Sequence, residues 1–337
     1  MLSRDIQRTI MENAIRLQLR GYESSGKRSL RRLVDTARHL TKSKVQKELF
    51  DQVGTIFEDE NSLYYDALDR LMKTVDRDTI IHFGVNLGYE AMSKGAGKIR
   101  RLKKQTGEDT SWLIEMHIGE GNAAKYKADA FRKTVRYFTQ AGANVFSLFL
   151  SGPVDSILNE LSPAIREQDT ASFLLFLPNV ILSQETMQTL SAMQNVLLLI
   201  PGNHILSGKN QKTEPDTVAD SHTETASAAG AMAEWLSEKR MLFGYYLVTR
   251  REAVKDLNDY LEPFDSAPSP IIFLLQDMDQ AEFPEEDPVL TAFRENPELP
   301  LLPVNYRLDT AAVNKMISGK VLSVRAADNI RRSKPSE

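Results

Sequence analysis

The chain contains no cysteine at all. That single absence removes disulfides, thiolate zinc sites, cysteine nucleophiles and every cysteine-ligated iron-sulfur cluster from the chemistry open to it. A long apolar run is also missing. Nothing in the sequence approaches the roughly 18 to 20 consecutive apolar residues that cross a bilayer as a helix, and the opening stretch MLSRDIQRTIMENAIRLQLR mixes charges where a secretory signal would have an apolar centre. A cytoplasmic location is the expectation. Charge of one sign is not in excess: 42 basic residues stand against 46 acidic ones, a formal net charge of -4. The total therefore gives no reason to expect nucleic acid or an anionic membrane as a partner. The familiar phosphate and nucleophile signatures, G-x-S-x-G, G-x-x-x-x-G-K-[ST] and G-x-G-x-x-G, do not occur.

What is present is a chain of 337 residues, 42% of them apolar, enough for a large α/β domain with a substantial core. Residues 1–105 read as a helical N-terminal region. Ile6, Ile10, Ala14, Ile15 and Leu17 recur near helical spacing, as do Leu30, Leu33, Val34 and Ala37. A basic stretch, KRSLRR at 27–32, alternates with those apolar positions as the solvated face of an amphipathic helix does. From Ser111 onward, runs of strand length alternate with helical segments. The strands are SWLIEMHI, ANVFSLFL, ASFLLFLP, VLLLIP, MLFGYYLVT and PIIFLLQD; the helices are KADAFRKTVRYFTQAG, VDSILNELSPAIREQD, SQETMQTLSAMQN, ASAAGAMAEWLSEKR and REAVKDLNDYLEPF. Continuous apolar strands such as FLLFL need cover on both faces of the sheet. The fold class expected is α/β, a six-unit (β/α) partial TIM-type barrel over residues 106–337. The polar stretch 207–227, SGKNQKTEPDTVADSHTETAS, reads as a loop or lid within it.

Parallel βα architectures bind ligands at the carboxyl ends of their strands. The residues there are His117, Gly119, Glu120, Gly121 and Asn122 after the first strand, Ser151 and Gly152 after the second, and Asn179 after the third. Gly202, Asn203 and His204 follow the fourth, Thr249 and Arg250 the fifth, and Asp277 and Asp279 the sixth. His117, Glu120, His204 and Asp277 are the candidates for acid or base catalysis. His117, His204, Asp277 and Asp279 stand where metal ligands would, without the H-x-H or H-x-x-x-H spacing of common sites.

The order of these units, and several phrases in them, resemble the radical S-adenosylmethionine superfamily over about residues 111–330. LFLPNVILSQETMQTLSAMQNVLLLIPGN resembles the family's third strand, turn, helix and following strand, with Asn179 retained and Pro201 near the position of a cofactor-contacting serine. AMAEWLSEKRMLFGYYLVTRREAVKDL resembles the next unit, with Thr249, Arg250 and Arg251 in place, and residues 82–115 resemble the lead-in of a bacterial subgroup. The departures fall on the cofactor site. GNAAKYKA at 121–128, laid on the family's C-x3-C-x2-C, puts Gly121, Lys125 and Ala128 at the ligand positions, and the Gly-Gly-Glu motif is reduced to Ser151, Gly152 and Pro153. The cysteine-bearing C-terminal region of larger members has no counterpart before the chain stops after VLSVRAADNIRRSKPSE.

The resemblance therefore implies a degenerate, cysteine-free member with no cluster and no cofactor. Its vestigial pocket would be formed by Gly121, Asn122, Lys125, Ala128, Ser151, Gly152, Asn179, Gly202 and Asn203. Such a chain is expected to act as a binding or partner subunit, recognising a peptide or protein or pairing with an active relative, and not nucleic acid or membrane. Lys125 would fill the vacated cluster volume and meet Glu115 or Glu120. The alternatives are a barrel with cluster-independent acid-base chemistry and a protein that retains nucleoside binding.

Overall fold

The computed structural model describes residues 6–20, 22–40, 54, 58, 63–107, 112–119, 128–202, 205, 220–249, 264, 266–277 and 306–308. Among the described residues the N-terminal helices are α1 (Ile6–Arg20), α2 (Tyr22–Leu40), α3 (Leu63–Thr74), α4 (Arg77–Val85), the π-helix π1 (Asn86–Gly95) and α5 (Ala96–Thr106). They are followed by β1 (Leu113–Ile118), α6 (Ala128–Ala141), β2 (Val145–Leu150), α7 (Val154–Glu167), β3 (Ser172–Phe176) and α8 (Gln184–Ser191). The remainder is β4 (Val196–Pro201), α9 (Asp220–Glu238), β5 (Phe243–Thr249), β6 (Ile272–Asp277) and β7 (Tyr306–Leu308).

Among the described residues seven strands form one sheet in chain order, β1-β2-β3-β4-β5-β6-β7, and each adjacent pair is parallel. Sequential order with right-handed crossovers carries the described connecting helices, α6 to α9, to the same side of the sheet. The packing agrees. Phe131 and Val135 of α6, Leu158 and Leu161 of α7, Leu190 of α8 and Leu236 of α9 share one core with Met116, Leu148, Leu175, Leu198 and Tyr245 from alternate strand positions. A doubly wound sheet would have split these helices between two faces. Among the described residues β1 and β7 are the two edges, and the ladder is not closed into a barrel.

The other face is covered from the N-terminal side. Val75, Phe83 of α4 and Ala91 of π1 pack with Leu113, Val145, Leu174, Leu197, Leu199 and Phe273. Both faces are thus buried, which is why the strands read as unbroken apolar runs. Outermost, α1 and α2 form a smaller core of Leu19, Tyr22, Leu30, Tyr65, Met72 and Val85 with the helices beneath them.

Two sequence expectations change here. The stretch expected as a loop, 207–227, is helical from Asp220, where α9 begins; Asp220 and Glu224 suit the positive end of a helix, and Ala226, Ala228 and Ala229 are strong helix formers. Residues 207–219 lie outside the described ones, as does REAVKDLNDYLEPF up to Pro263. The sheet also gains β7. Tyr306–Leu308 is a short edge strand of mixed polarity with no apolar run to announce it.

Candidate functional site

Because all strands run the same way, the backbone after each carboxyl end lies along one rim of the sheet. Gly119, Ser151, Asn179, Gly202 and the end of β6 at Asp277 share that rim. Gly119 and Ser151 are in contact: Ser151 donates its backbone N–H to the Ile118 carbonyl (2.9 Å), and a Cβ at position 119 would run into the Ser151 hydroxyl. Gly152 follows with φ of 77°, a conformation natural to glycine, and its carbonyl accepts from Val154 N–H (2.9 Å) at the start of α7. Where the family's motif has a carboxylate, this turn has Pro153, and Ser151 and Gly152 are exposed.

Ala128, at the third of the candidate ligand positions, is the first residue of α6. Its backbone N–H donates to Glu160 Oε1 of α7 (3.0 Å), so the position serves as a helix start and offers only a methyl group. Gly202 is buried, with space for a side chain closed by Leu247 and Phe264, each about 3.0 Å from where a Cβ would sit; it packs the helix-side core. Asn179 is half-buried in the short turn after β3. His117 is the penultimate residue of β1 and Asp277 the last of β6, at opposite sides of the sheet. Glu120, Gly121, Asn122, Lys125, Asn203, His204, Arg250, Arg251 and Asp279 lie outside the described residues. Among those described, no group of three or more potential ligands is placed to hold a metal ion.

What fills the inner face just below this rim is aromatic. Phe149 of β2 stacks on Phe176 of β3, with centroids 4.2 Å apart and planes at 11°. Phe176 meets Tyr246 of β5 edge-on at 5.7 Å and Phe273 of β6 at 6.0 Å. Tyr246 then reaches across β4 to donate its hydroxyl to the Leu177 carbonyl (2.8 Å). Burial pushes its phenol up to about 12, so it remains a protonated donor at ordinary pH. Phe176 is only 2% exposed. Four strands are thus cross-braced by rings at the level where a ligand would enter. The polar rim stands out in the sequence; the signal for the aromatic layer is there too, in FSLFL, FLLF, GYY and IIF.

The amino end of the sheet is built differently. Arg8 of α1 is buried and donates to Asn86 Oδ1 (2.7 Å), pairs with Glu12 (2.8 Å) and Glu90 (3.5 Å), and lies 3.4 Å from His82 Nδ1. His82 in turn bonds Asp169 through Nε2 (3.0 Å), and Lys94 pairs with Glu90 (3.1 Å). The i→i+5 bonding of π1 is what brings Asn86, Glu90, Ala91 and Gly95 to the buried side together. Three buried asparagines tie up carbonyls at the turns. Asn86 donates to Asp169 (2.8 Å) and Ala171 (3.2 Å), Asn144 to Glu90 (2.9 Å) and Asn195 to Ile165 (3.0 Å). Beside them opens a cleft of about 460 Å³ lined by Asp76, Arg166, Asp169, Lys239 and Arg240. Arg240 adopts φ of 53°, held there by its carbonyl accepting from Asp76 N–H (2.8 Å) and its guanidinium donating to the Val75 carbonyl (3.3 Å).

No protein-family model and no curated protein matches the chain. Among solved structures it is similar to Streptococcus suis SuiB, at 10% identity and a TM-score of 0.41 over 65% of this chain and 55% of that one. It is likewise similar to SuiB bound to S-adenosylmethionine, at 11% identity and a TM-score of 0.41 over 66% and 53% of the two chains. The chain thus spans about half the length of the solved chains it matches.

The cofactors implied by the family resemblance can be tested against the residues present. A four-iron cluster needs thiolates, and the chain supplies none; Ala128 can hold nothing through its side chain, and Gly121 and Lys125 offer no sulfur. The donor set does not fit the cluster. Nor does the turn after β2 offer the carboxylate that the family uses on the methionine amino group.

Proposed function

We propose that the chain is a degenerate relative of the radical S-adenosylmethionine enzymes that works as a non-catalytic binding or partner subunit, recognising a peptide or protein. The sequential parallel sheet supports the fold side of this reading. The observation that carries it is the state of the cofactor site: no cysteine anywhere, glycine, lysine and alanine at the ligand positions, and a rim underlain by Phe149, Phe176, Tyr246 and Phe273 packed on one another. A chain that keeps well-patterned strands and helices while losing its reactive groups retains a scaffold, and scaffolds of this kind persist through what they bind. The expected partner is a cysteine-bearing relative or its peptide substrate.

The test has two arms. Anaerobic reconstitution with iron and sulfide should yield no stoichiometric cluster by absorbance or paramagnetic resonance, and reduction in the presence of S-adenosylmethionine should yield no 5′-deoxyadenosine above the no-enzyme control. A cluster signal or that product would defeat the reading outright. Co-elution of the purified chain with a purified cysteine-bearing relative is the expected positive result.

A further inference from the structure

Between Glu90 and Glu108 the sequence has no acidic residue, and the helix α5 that occupies this interval carries Lys98, Arg100, Arg101, Lys103 and Lys104. All five are exposed, and the helix has no buried residue. Gly142, just past α6, lies so close to Gly95 that a Cβ there would run into the Gly95 carbonyl and crowd Lys98 and Ile99, and Lys98 Nζ reaches the Thr139 carbonyl at 3.5 Å. Leu102, with Ile99, is half-buried on the body side.

Such a helix works against itself. Lys98 and Arg101, Arg100 and Lys103, Arg100 and Lys104, and Arg101 and Lys104 stand at i,i+3 or i,i+4, where like charges cost a few tenths of a kcal/mol per pair. The macrodipole accounts for the two lysines of the last turn, since cations there are favoured. It leaves Lys98, Arg100 and Arg101 unexplained. An anion laid along the helix would relieve all the pairs at once.

We infer that α5 is a docking surface for a short acidic polypeptide segment of a partner. The choice of an acidic peptide over nucleic acid follows from charge and length. The chain as a whole is at -4, so apart from these five cations its formal charge is -9, a total that works against an extended polyanion, and the helix itself is only roughly 16 Å long. A segment of a few Asp and Glu side chains ends where the cations end. Arg100 and Arg101 suit carboxylates in particular, because a guanidinium presents two parallel N–H donors to the two oxygens. The inference rests on the partner-subunit reading above and specifies the chemistry of that partner.

The test measures fluorescence anisotropy of a labelled Glu-rich dodecapeptide with the full chain at about 50 mM salt, beside its Gln-substituted counterpart, a single-stranded RNA and anionic vesicles. The acidic peptide should bind and the Gln peptide should not. In the triple variant Arg100→Glu, Arg101→Glu and Lys104→Glu the dissociation constant should rise by about tenfold or more, with circular dichroism unchanged. The double variant Arg28→Glu and Arg32→Glu, equally exposed on α2, should bind as the wild type does. No peptide binding, equal losses in both variants, or tighter binding of RNA or vesicles that the triple variant abolishes would each overturn the inference. Peptide binding that survives alongside a reconstituted cluster would sustain the docking surface while removing the non-catalytic reading.

Discussion

The two ends of the sheet solve the same problem with different chemistry. At the carboxyl end, rings from β2, β3, β5 and β6 pack on one another, and a single hydroxyl-to-carbonyl bond from Tyr246 stitches β5 to β3. At the amino end the turns are held by charged and amide side chains, with Arg8, Asn86, Glu90, Asn144 and Asn195 each buried and each bonded. Parallel βα folds ordinarily reserve the carboxyl end for reactions and the amino end for stability. Here the carboxyl end has taken on a stabilising role as well, and the described cleft opens at the amino end instead. What distinguishes the ends is how a loss would propagate. An aromatic layer fails by leaving a void, whereas a charge network fails by stranding a partner.

The largest effect is expected at the aromatic layer. Phe176→Ala removes the ring that touches Phe149, Tyr246 and Phe273 together, and a buried Phe-to-Ala change costs about 3–5 kcal/mol. Urea denaturation should show that loss; a cost below about 1 kcal/mol would mean that the rim is loosely packed and available to a ligand. Arg8→Ala comes next, at about 3 kcal/mol, because Asn86 and Glu90 lose a buried donor while Lys94 still serves Glu90. Hydrogen exchange should quicken in α1 before it quickens in the sheet. Simultaneous quickening in both would erase the distinction between a fastening network and a core.

The smallest effect is a pH dependence. Burial pulls the His82 pKa down, but its hydrogen bonds to Asp169 and the charge of that carboxylate raise it by more, so the net direction is upward. A folded-state value above the ordinary 6.5 or so means that the contribution is complete below that pH and fades as pH rises through the folded value. The stability difference between the wild type and His82→Gln should therefore shrink as pH rises above about 6.5. A difference that stayed constant across that range would show that His82 acts through its neutral ring, accepting from Arg8.

Much of this architecture is legible in the sequence because burial on two faces writes a strong signal. The expected strand ASFLLFLP contains β3 at Ser172–Phe176, and the expected VLLLIP coincides with β4. Other features left a weaker trace. The π-helix has no distinctive composition, since its extra residue per turn is set by Asn86 and Glu90 finding partners 78 and 82 residues away. The edge strand β7 is too short for a period. At the candidate site, polar loop residues stood out by type, but Gly202 is a packing glycine and Ser151 a neighbour that Gly119 must accommodate. Side-chain identity alone does not say which way a residue faces.

The strand order has a consequence for synthesis. Each strand of this sheet pairs with the strand made just before it, so no segment waits for one that the ribosome has yet to deliver. The helices that cover the inner face come first in the chain, and β1 emerges with that apolar surface already made. Growth of the sheet then proceeds one unit at a time from β1 toward β7, and each new strand covers the edge left open by the last.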